Sequence, residues 1–371
     1  MDYMEQALSL AKLALGQVSP NPAVGAVVVK NDRVVGQGYT QPPGSWHAEV
    51  VALRQAGKEA QGGVMYVTLE PCCHYGRTPP CTQAIITAGI AEVHMAMLDA
   101  NPLVSGRGKD ELEREGIRVC LGEHEEEVKK INEAYTKFIT TGMPFITAKF
   151  AISLDGKIAT RSGDSKWISG DEARKYVHNL RYTSDAIMVG VNTVLVDDPH
   201  LTARNCGGKG GVARRQPLRV IVDGKGRMPL TAQLLREPGK TLLVLGKLVT
   251  PEEKATFARV GVELLELPLG EGLVDLGKLL KALGERQITS VLVEGGSILL
   301  GSLFDGKLVD KVIAFIAPII IGGKEAKTAV SGKGVDKVVD SLKLERLSLE
   351  KLGEDLMVSG YVRERECLLG L

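Results

Sequence analysis

Apolar residues spaced at i, i+3 and i+4 open the chain. Met4, Ala7, Leu8, Ala11, Ala14 and Leu15 share one face of a predicted helix, with Asp2 and Glu5 at capping-box spacing and Gly16 as its stop. The period then shortens to that of strands. Val24–Val29 and Val34–Tyr39 are β-rich runs separated by the polar turn Lys30-Asn31-Asp32-Arg33, which predicts a hairpin. Helical and strand-like segments alternate after it: a helix near Ala48–Gln55, a strand at Val64–Leu69, a helix at Thr82–Thr87, a strand at Glu92–Leu98, a helix at Lys109–Arg114 and a strand at Ile117–Leu121. This alternation predicts an α/β sheet with helices on its faces.

The charged segment Glu123–Lys130, continuing to Phe138, reads as one helix leading out of this unit. Thr140-Thr141-Gly142-Met143-Pro144 is the linker candidate, giving two domains, 1–143 and 144–371. In the second half, strands are expected at Phe145–Ser153, Ala186–Val189, Leu218–Val222, Thr241–Leu245, Ser290–Val293 and Lys311–Ile321. Helices are expected near Asp171–Tyr182, Pro251–Arg259, Val274–Leu283 and Ser297–Phe304, making a second α/β domain. The sequence has no internal repeat and no low-complexity tract.

Composition narrows the class. A chain of 371 residues, 44% hydrophobic and with a net charge of +1, is long enough for two cores. It has no apolar run of about 18 residues to span a membrane, and its first residues carry acid where a signal peptide carries base, so a cytoplasmic protein without a membrane partner is expected. Balanced charge and 4% aromatic residues disfavour a nucleic-acid partner and fit a small, phosphorylated substrate. The six cysteines (Cys72, Cys73, Cys81, Cys120, Cys206 and Cys367) do not space as a disulfide framework and are expected to be reduced.

The chemistry concentrates in His47-Ala48-Glu49 and the stretch from Pro71-Cys72-Cys73 to Pro79-Pro80-Cys81. They offer one imidazole, two thiolates and an uncommitted carboxylate, the inventory of a three-ligand catalytic zinc with a general acid/base beside it. His47, Cys72 and Cys81 are the candidate ligands and Glu49 the candidate catalytic residue, a pattern that points to hydrolytic deamination. Cys72 is placed after the end of its strand and Cys81 just before a helix whose N-terminus favours a thiolate; Cys73 reads as a packed thiol. Two alternatives share these residues: a deaminase acting on a base in nucleic acid, and a zinc-stabilised scaffold without catalysis. In the second half, Ser290-Val291-Leu292-Val293-Glu294-Gly295-Gly296-Ser297 runs from a buried-type strand through two glycines into a helix, a turn whose amides suit an anion such as a dinucleotide pyrophosphate. It is not the G-x-G-x-x-G fingerprint. His94, His124, His178 and His200 read as structural or surface residues.

Eight residues separate Cys72 from Cys81, where the general pattern has two. With this insertion, the chain resembles the RibD family of bifunctional riboflavin-biosynthesis enzymes, in P-C-x-H-x-G-R-T-P-P-C, H-A-E and Asn21-Pro22-Ala23-Val24-Gly25-Ala26, and in the loop Asp99–Gly108. The resemblance continues through Ala151–Ala159, Gly163–Ile168, Gly190–Val194, Asp197-Asp198-Pro199 and Leu201–Arg204. It implies a cytidine-deaminase-like three-layer α/β domain followed by a dihydrofolate-reductase-like α/β domain, with Zn2+ and NADPH as cofactors, and a homo-oligomer. Carried over by position, Asn21, His74, Arg77, Asn101, Ser105 and Gly106 are substrate contacts of the deaminase. Ala151, Trp167, Thr193, Asp197, Gly296, Ser297 and Ser302 would touch the nicotinamide cofactor, with Trp167 as a flat apolar wall. Ser165, Arg181, Leu201, Arg204 and Glu294 would hold the ribose phosphate, the two arginines clamping it.

Overall fold

The structure is a computed structural model that describes residues 2–76, 78–204, 215–270 and 272–363. Its Cα atoms cluster into two compact units, residues 1–144 with 284–289, and residues 145–283 with 290–371.

The first unit runs α1 (Tyr3–Ala14), β1 (Gly25–Lys30), β2 (Arg33–Tyr39), α2 (Ala48–Ala56), β3 (Val64–Val67), α3 (Cys81–Thr87), β4 (Glu92–Met95), α4 (Arg107–Arg114), β5 (Arg118–Leu121), α5 (Glu125–Ile131) and α6 (Glu133–Thr141). The Asp2 side chain caps α1 by accepting from the Glu5 amide, and Met4, Ala7, Leu8, Ala11 and Ala14 are its buried stripe, as their spacing predicts. The sheet order is β2-β1-β3-β4-β5, antiparallel on both sides of β1 and parallel from β3 to β5. Helices α2, α3 and α4 are successive neighbours, as are α1, α5 and α6, and the core draws on the sheet and on both helical groups. Gly36 and Gly38 set the seat of α2: a Cβ would lie 2.1 Å from the Ala52 carbonyl oxygen at Gly36 and 2.6 Å from Val51 Cβ at Gly38.

One expected helix is in fact two. The segment 123–138 breaks at Asn132, whose side chain accepts from the Ala23 amide (2.8 Å) and donates to the Ala23 carbonyl (3.1 Å). A buried side-chain amide spent on a distant backbone competes with helix continuation. β3 and β4 also stop short of their expected ends, at Val67 and Met95, where the chain turns into the loops that build the site.

The second unit contains β6 (Phe145–Ser153), α7 (Asp171–Thr183), β7 (Ala186–Gly190), α8 (Val191–Asp197), β8 (Leu218–Val222), β9 (Thr241–Gly246), α9 (Pro251–Arg259), β10 (Glu263–Leu267), β11 (Leu269–Gly270), β12 (Leu273–Val274), α10 (Leu276–Glu285), β13 (Ser290–Glu294), α11 (Ser297–Asp305), β14 (Lys311–Ala317), β15 (Leu344–Leu352) and β16 (Asp355–Val362). The order is β10-β9-β8-β7-β13-β6-β14-β16-β15, parallel from β10 through β14 and closed by an antiparallel β16–β15 hairpin. β13 inserts between β6 and β7, which places a topological switch at the middle of the parallel sheet.

The sequence pattern does not predict β10, α8, β15 or β16. β15 lies exposed over its interior positions, Leu347 and Leu349 included, so it lacks the alternation of a half-buried strand. The strand expected to reach Ile321 ends at Ala317, ahead of Pro318, which has no amide for a ladder.

Candidate active sites

His47 is the N-cap of α2, Cys72 follows β3 and Cys81 is the first residue of α3, one step inside the helix it was expected to precede. His47 Nδ1 lies 3.6 Å from Cys72 Sγ and 3.3 Å from Cys81 Sγ, and the Cys81 amide donates to Cys72 Sγ at 3.5 Å. An ion with Zn–S of about 2.3 Å and Zn–N of about 2.0–2.1 Å separates sulfur from nitrogen by about 3.5 Å at a tetrahedral angle, so the donors fit zinc. His47 Nε2 lies 3.5 Å from Thr78 Oγ1, a partner able to fix the ring.

Glu49 is buried, and its carboxyl shares a hydrogen bond with the Cys81 thiol. Burial pushes it up to about 7, against the pull of His47. Cys72 is drawn down to about 4 by hydrogen bonds from Cys81 and His47, while Cys81 is pushed up by the bond it gives Cys72 and by burial. His47 is raised to about 9, chiefly by its bond with Cys72.

The loop after β4 is held by a residue that the sequence reading missed. The Glu70 carboxylate, 3% exposed, accepts from the amides of Asp99 (3.1 Å), Gly106 (2.9 Å) and Lys109 (3.0 Å), tying the loop and the start of α4 to the strand end that leads to Cys72. Asp99 in turn accepts from Tyr135 Oη (2.9 Å) and the Asn101 amide (2.9 Å). Gly108 allows the approach, since a Cβ there would lie 2.2 Å from the Pro71 carbonyl oxygen. The readable signal was an acid at a predicted strand end, directly before Pro-Cys.

Of the expected substrate contacts, Asn101 Oδ1 accepts from the Leu103 amide, Ser105 is exposed, and Gly106 adopts φ +79° on the Glu70-bound loop. His74 Nδ1 is buried without a hydrogen-bond partner among the described residues. Asn21 sits two residues before Ala23, the residue that Asn132 grips. Arg77 lies outside the described residues.

In the second unit, a cavity of about 430 Å³ opens at the carboxyl ends of β7, β8 and β13. Ser165, Thr193, Asp197, Gly296, Ser297 and Ser302 line it, and Ser165 Oγ donates to Asp197 Oδ1 at 2.8 Å. Gly295 and Gly296 take φ of +89° and +82°, and α11 begins without a side-chain cap, so its first amides are available to an anion. A dinucleotide suits this cradle of glycines and helix start. The same cavity is lined by Lys225, Arg227 and Lys327, which the sequence reading missed because they sit in Gly- and Lys-rich turns that look like solvated surface.

The remaining expected contacts do not line this cavity. Trp167 is 72% exposed, with the Arg174 guanidinium 4.8 Å above its ring. Leu201 is buried, Ala151 packs beside Ala173 and Phe315, and Arg204 is exposed. Arg181 and Glu294 hold each other. Arg181 Nε and Nη2 donate to Glu294 at 2.5 and 3.0 Å, Nη1 donates to the Thr202 carbonyl at 3.0 Å, and Lys149 Nζ stands 3.8 Å from the same carboxylate. Burial works to raise the Glu294 carboxyl, but the Arg181 guanidinium outweighs it and the group lies below its usual range.

The model of the RibD C-terminal domain matches residues 144–358, and that of the cytidine and deoxycytidylate deaminase zinc-binding region matches residues 1–97. The riboflavin biosynthesis protein RibD of Aquifex aeolicus is 45% identical over 96% of this chain and 97% of its own. A solved structure of Acinetobacter baumannii RibD superposes with a TM-score of 0.86 at 39% identity, covering 98% of each chain. That of the Thermotoga maritima diaminohydroxyphosphoribosylaminopyrimidine deaminase/5-amino-6-(5-phosphoribosylamino)uracil reductase gives 0.83 at 36% identity, covering 97% of this chain and 98% of that one.

Proposed function

The chain belongs to the RibD family, bifunctional enzymes of riboflavin biosynthesis, and from that premise we propose which of its residues carry each step. The first reaction is hydrolytic deamination of 2,5-diamino-6-(5-phosphoribosylamino)pyrimidin-4(3H)-one. The second reduces the ribosyl group to ribityl and gives 5-amino-6-(5-phosphoribitylamino)uracil. Residues 1–143 form the deaminase domain and residues 144–371 the reductase domain in this reading.

His47, Cys72 and Cys81 hold zinc, which supplies, when bound, the Lewis acidity that brings a water toward ionisation near neutral pH. Glu49 takes a proton from the water that attacks the amine-bearing pyrimidine carbon and returns it to the departing nitrogen, so that water is consumed and ammonia leaves. The Glu70-held loop presents Asn101, Ser105 and Gly106 to the substrate, joined by Asn21, His74 and Arg77.

In the second unit the nicotinamide cofactor supplies, when bound, a hydride for C1 of the opened ribosyl group. Thr193, Asp197, Gly296, Ser297 and Ser302 hold it along the cavity, with Ala151 and Trp167 at its margin. Ser165, Leu201 and Arg204 meet the ribose phosphate, and the Arg181–Glu294 pair braces that wall from within. NADPH is the preferred form, supported by Lys225 and Arg227, cations suited to a 2′-phosphate. The substrate is a small phosphorylated pyrimidine, with no nucleic-acid or membrane partner, in the cytoplasm; among the described residues no helix is long and apolar enough to cross a membrane. The exposed Leu347 and Leu349 on the edge strand β15 support a homo-oligomer.

The observation that carries the reading is the convergence of one nitrogen and two sulfurs beside the buried Glu49. Glu49→Gln tests it. The variant should keep its zinc and its NADPH-dependent reductase activity while ammonia release falls by at least a thousandfold; unchanged ammonia release would remove Glu49 from the chemistry.

A further inference from the structure

A second group of metal-binding atoms lies on β4 and β5, strands that supply none of the three zinc donors. Glu92 and His94 alternate with buried Val93 and Met95 on β4, so both project from one face of the sheet. In register, Cys120 of β5 stands opposite His94, and Tyr66 of β3 flanks it on the other side with its ring stacked at 4.5 Å. His94 Nε2 is 2.8 Å from Glu92 Oε1, and Cys120 Sγ is 3.6 Å from the same oxygen. The three donors lie within 4.8 Å of one another.

The ring's other nitrogen makes the arrangement informative. His94 Nδ1 is 2.9 Å from Glu123 Oε1, so each imidazole nitrogen faces a carboxylate and needs a positive centre toward it. A neutral imidazole has one N–H. Placed on Nδ1, it serves Glu123 and leaves the Nε2 lone pair directed at the Glu92 anion. A second ring proton answers both carboxylates, and so does a dication on Nε2 shared with Oε1 and Sγ; with the dication the 2.8 Å between Nε2 and Oε1 opens to about 3.4 Å and Glu123 holds the ring as carboxylates hold metal-binding histidines. Charge agrees: two carboxylates, Glu92 and Glu123, flank the ring, and Arg118 Nη1 is 3.6 Å from Glu92 Oε2.

We infer that Glu92, His94 and Cys120 form a second divalent-cation site, oriented by Glu123. Mixed nitrogen, oxygen and sulfur donors select zinc and its borderline neighbours over magnesium or calcium, which take oxygen ligands. On binding, the Cys120 thiol gives its proton to solvent and its sulfur to the metal. The ion then clasps the edge strand β5 to β4.

Zinc analysis of the full-length protein, equilibrated at buffered micromolar free zinc, tests this independently of the deaminase reading. Two zinc ions per chain are expected for the parent, and one each for Cys120→Ala, His94→Gln and Cys72→Ala. With cobalt in place of zinc, Cys72→Ala should retain a thiolate-to-cobalt absorption that Cys72→Ala/Cys120→Ala loses. Unchanged reductase activity and circular dichroism in Cys120→Ala would show that its fold is intact. One zinc in the parent, a second zinc retained in both Cys120→Ala and His94→Gln, or no thiolate–cobalt band in Cys72→Ala would each overturn the inference.

Discussion

Replacing Glu70 by glutamine keeps the shape of the side chain and removes its charge, which isolates what the anion contributes to the loop beside Cys72. One carboxylate oxygen, Oε2, serves the Asp99 and Gly106 amides, and the other serves Lys109. A glutamine can keep its single oxygen on the first two only by turning its NH2 toward the Lys109 N–H, setting donor against donor. One hydrogen bond to a charged acceptor, worth roughly 1.5–3 kcal/mol, is then lost and two become neutral. The favourable placement of an anion at the start of α4, worth about 0.3–1 kcal/mol, goes with it. The lost bond and the helix-start contribution alone come to about 3 kcal/mol, at least roughly a 150-fold shift in the unfolding equilibrium. The chain has two tryptophans, Trp46 in the first unit and Trp167 in the second, so a Trp167→Phe background lets Trp46 fluorescence follow the first unit through a urea titration. Glu70→Gln should bring that transition to lower urea, and the KM for deamination should rise at least tenfold with zinc retained. A loss of less than about 0.5 kcal/mol, the scatter of an ordinary surface substitution, would refute the assigned role.

Glu294→Gln leaves Arg181 and Lys149 buried without their anion and should destabilise the second unit by about 3–5 kcal/mol in urea. Because the folded Glu294 carboxyl lies below its unfolded value, its stabilisation is present above the unfolded pKa of about 4.3 and is lost as pH falls toward the folded one. The variant's stability should therefore decline less steeply than the parent's below about pH 5. Lys225→Ala and Arg227→Ala should each raise the KM for NADPH roughly 10- to 100-fold, the worth of a charge-assisted contact, and leave that for NADH nearly unchanged in steady-state assays. Gly36→Ala drives a methyl group to 2.1 Å from the Ala52 carbonyl; displacement of α2 should abolish ammonia release while hydride transfer persists.

Legibility followed burial. α1, the β1–β2 hairpin and the core strands of both sheets carry a one-sided or fully apolar pattern, and that pattern is what periodicity detects. β15 has no buried face to announce itself, and β10, Glu-Leu-Leu-Glu-Leu, has the spacing of a helix turn as readily as that of a strand. His47, Cys72 and Cys81 were readable as candidate zinc donors because thiol and imidazole are scarce residue types with a narrow chemistry, and the structure brings the three together. Glu70, Lys225 and Arg227 belong to abundant types whose default is solvent, and only tertiary position gives them a task. Arg181 illustrates the converse: a residue type suited to phosphate is turned inward by a buried carboxylate more than a hundred positions away.

The turn Asn31-Asp32 joins β1 to β2 with both residues at positive φ, +49° and +58°, and both exposed. β1 is antiparallel to β3, Ala26 facing Val67 and Val29 facing Val64, so this turn lies at the far end of the sheet from the strand end that leads to Cys72. It is a natural handle. An epitope, a fluorophore or a tether grafted between Asn31 and Asp32 would meet the Tyr3 hydroxyl that donates to the Asp32 carbonyl, with the length of the sheet between the graft and the strand end that leads to Cys72. Loop-closure entropy grows only with the logarithm of length, so sizeable inserts are compatible with the fold. The first unit can in this way be immobilised or labelled at the end of its sheet opposite the strand end that leads to Cys72.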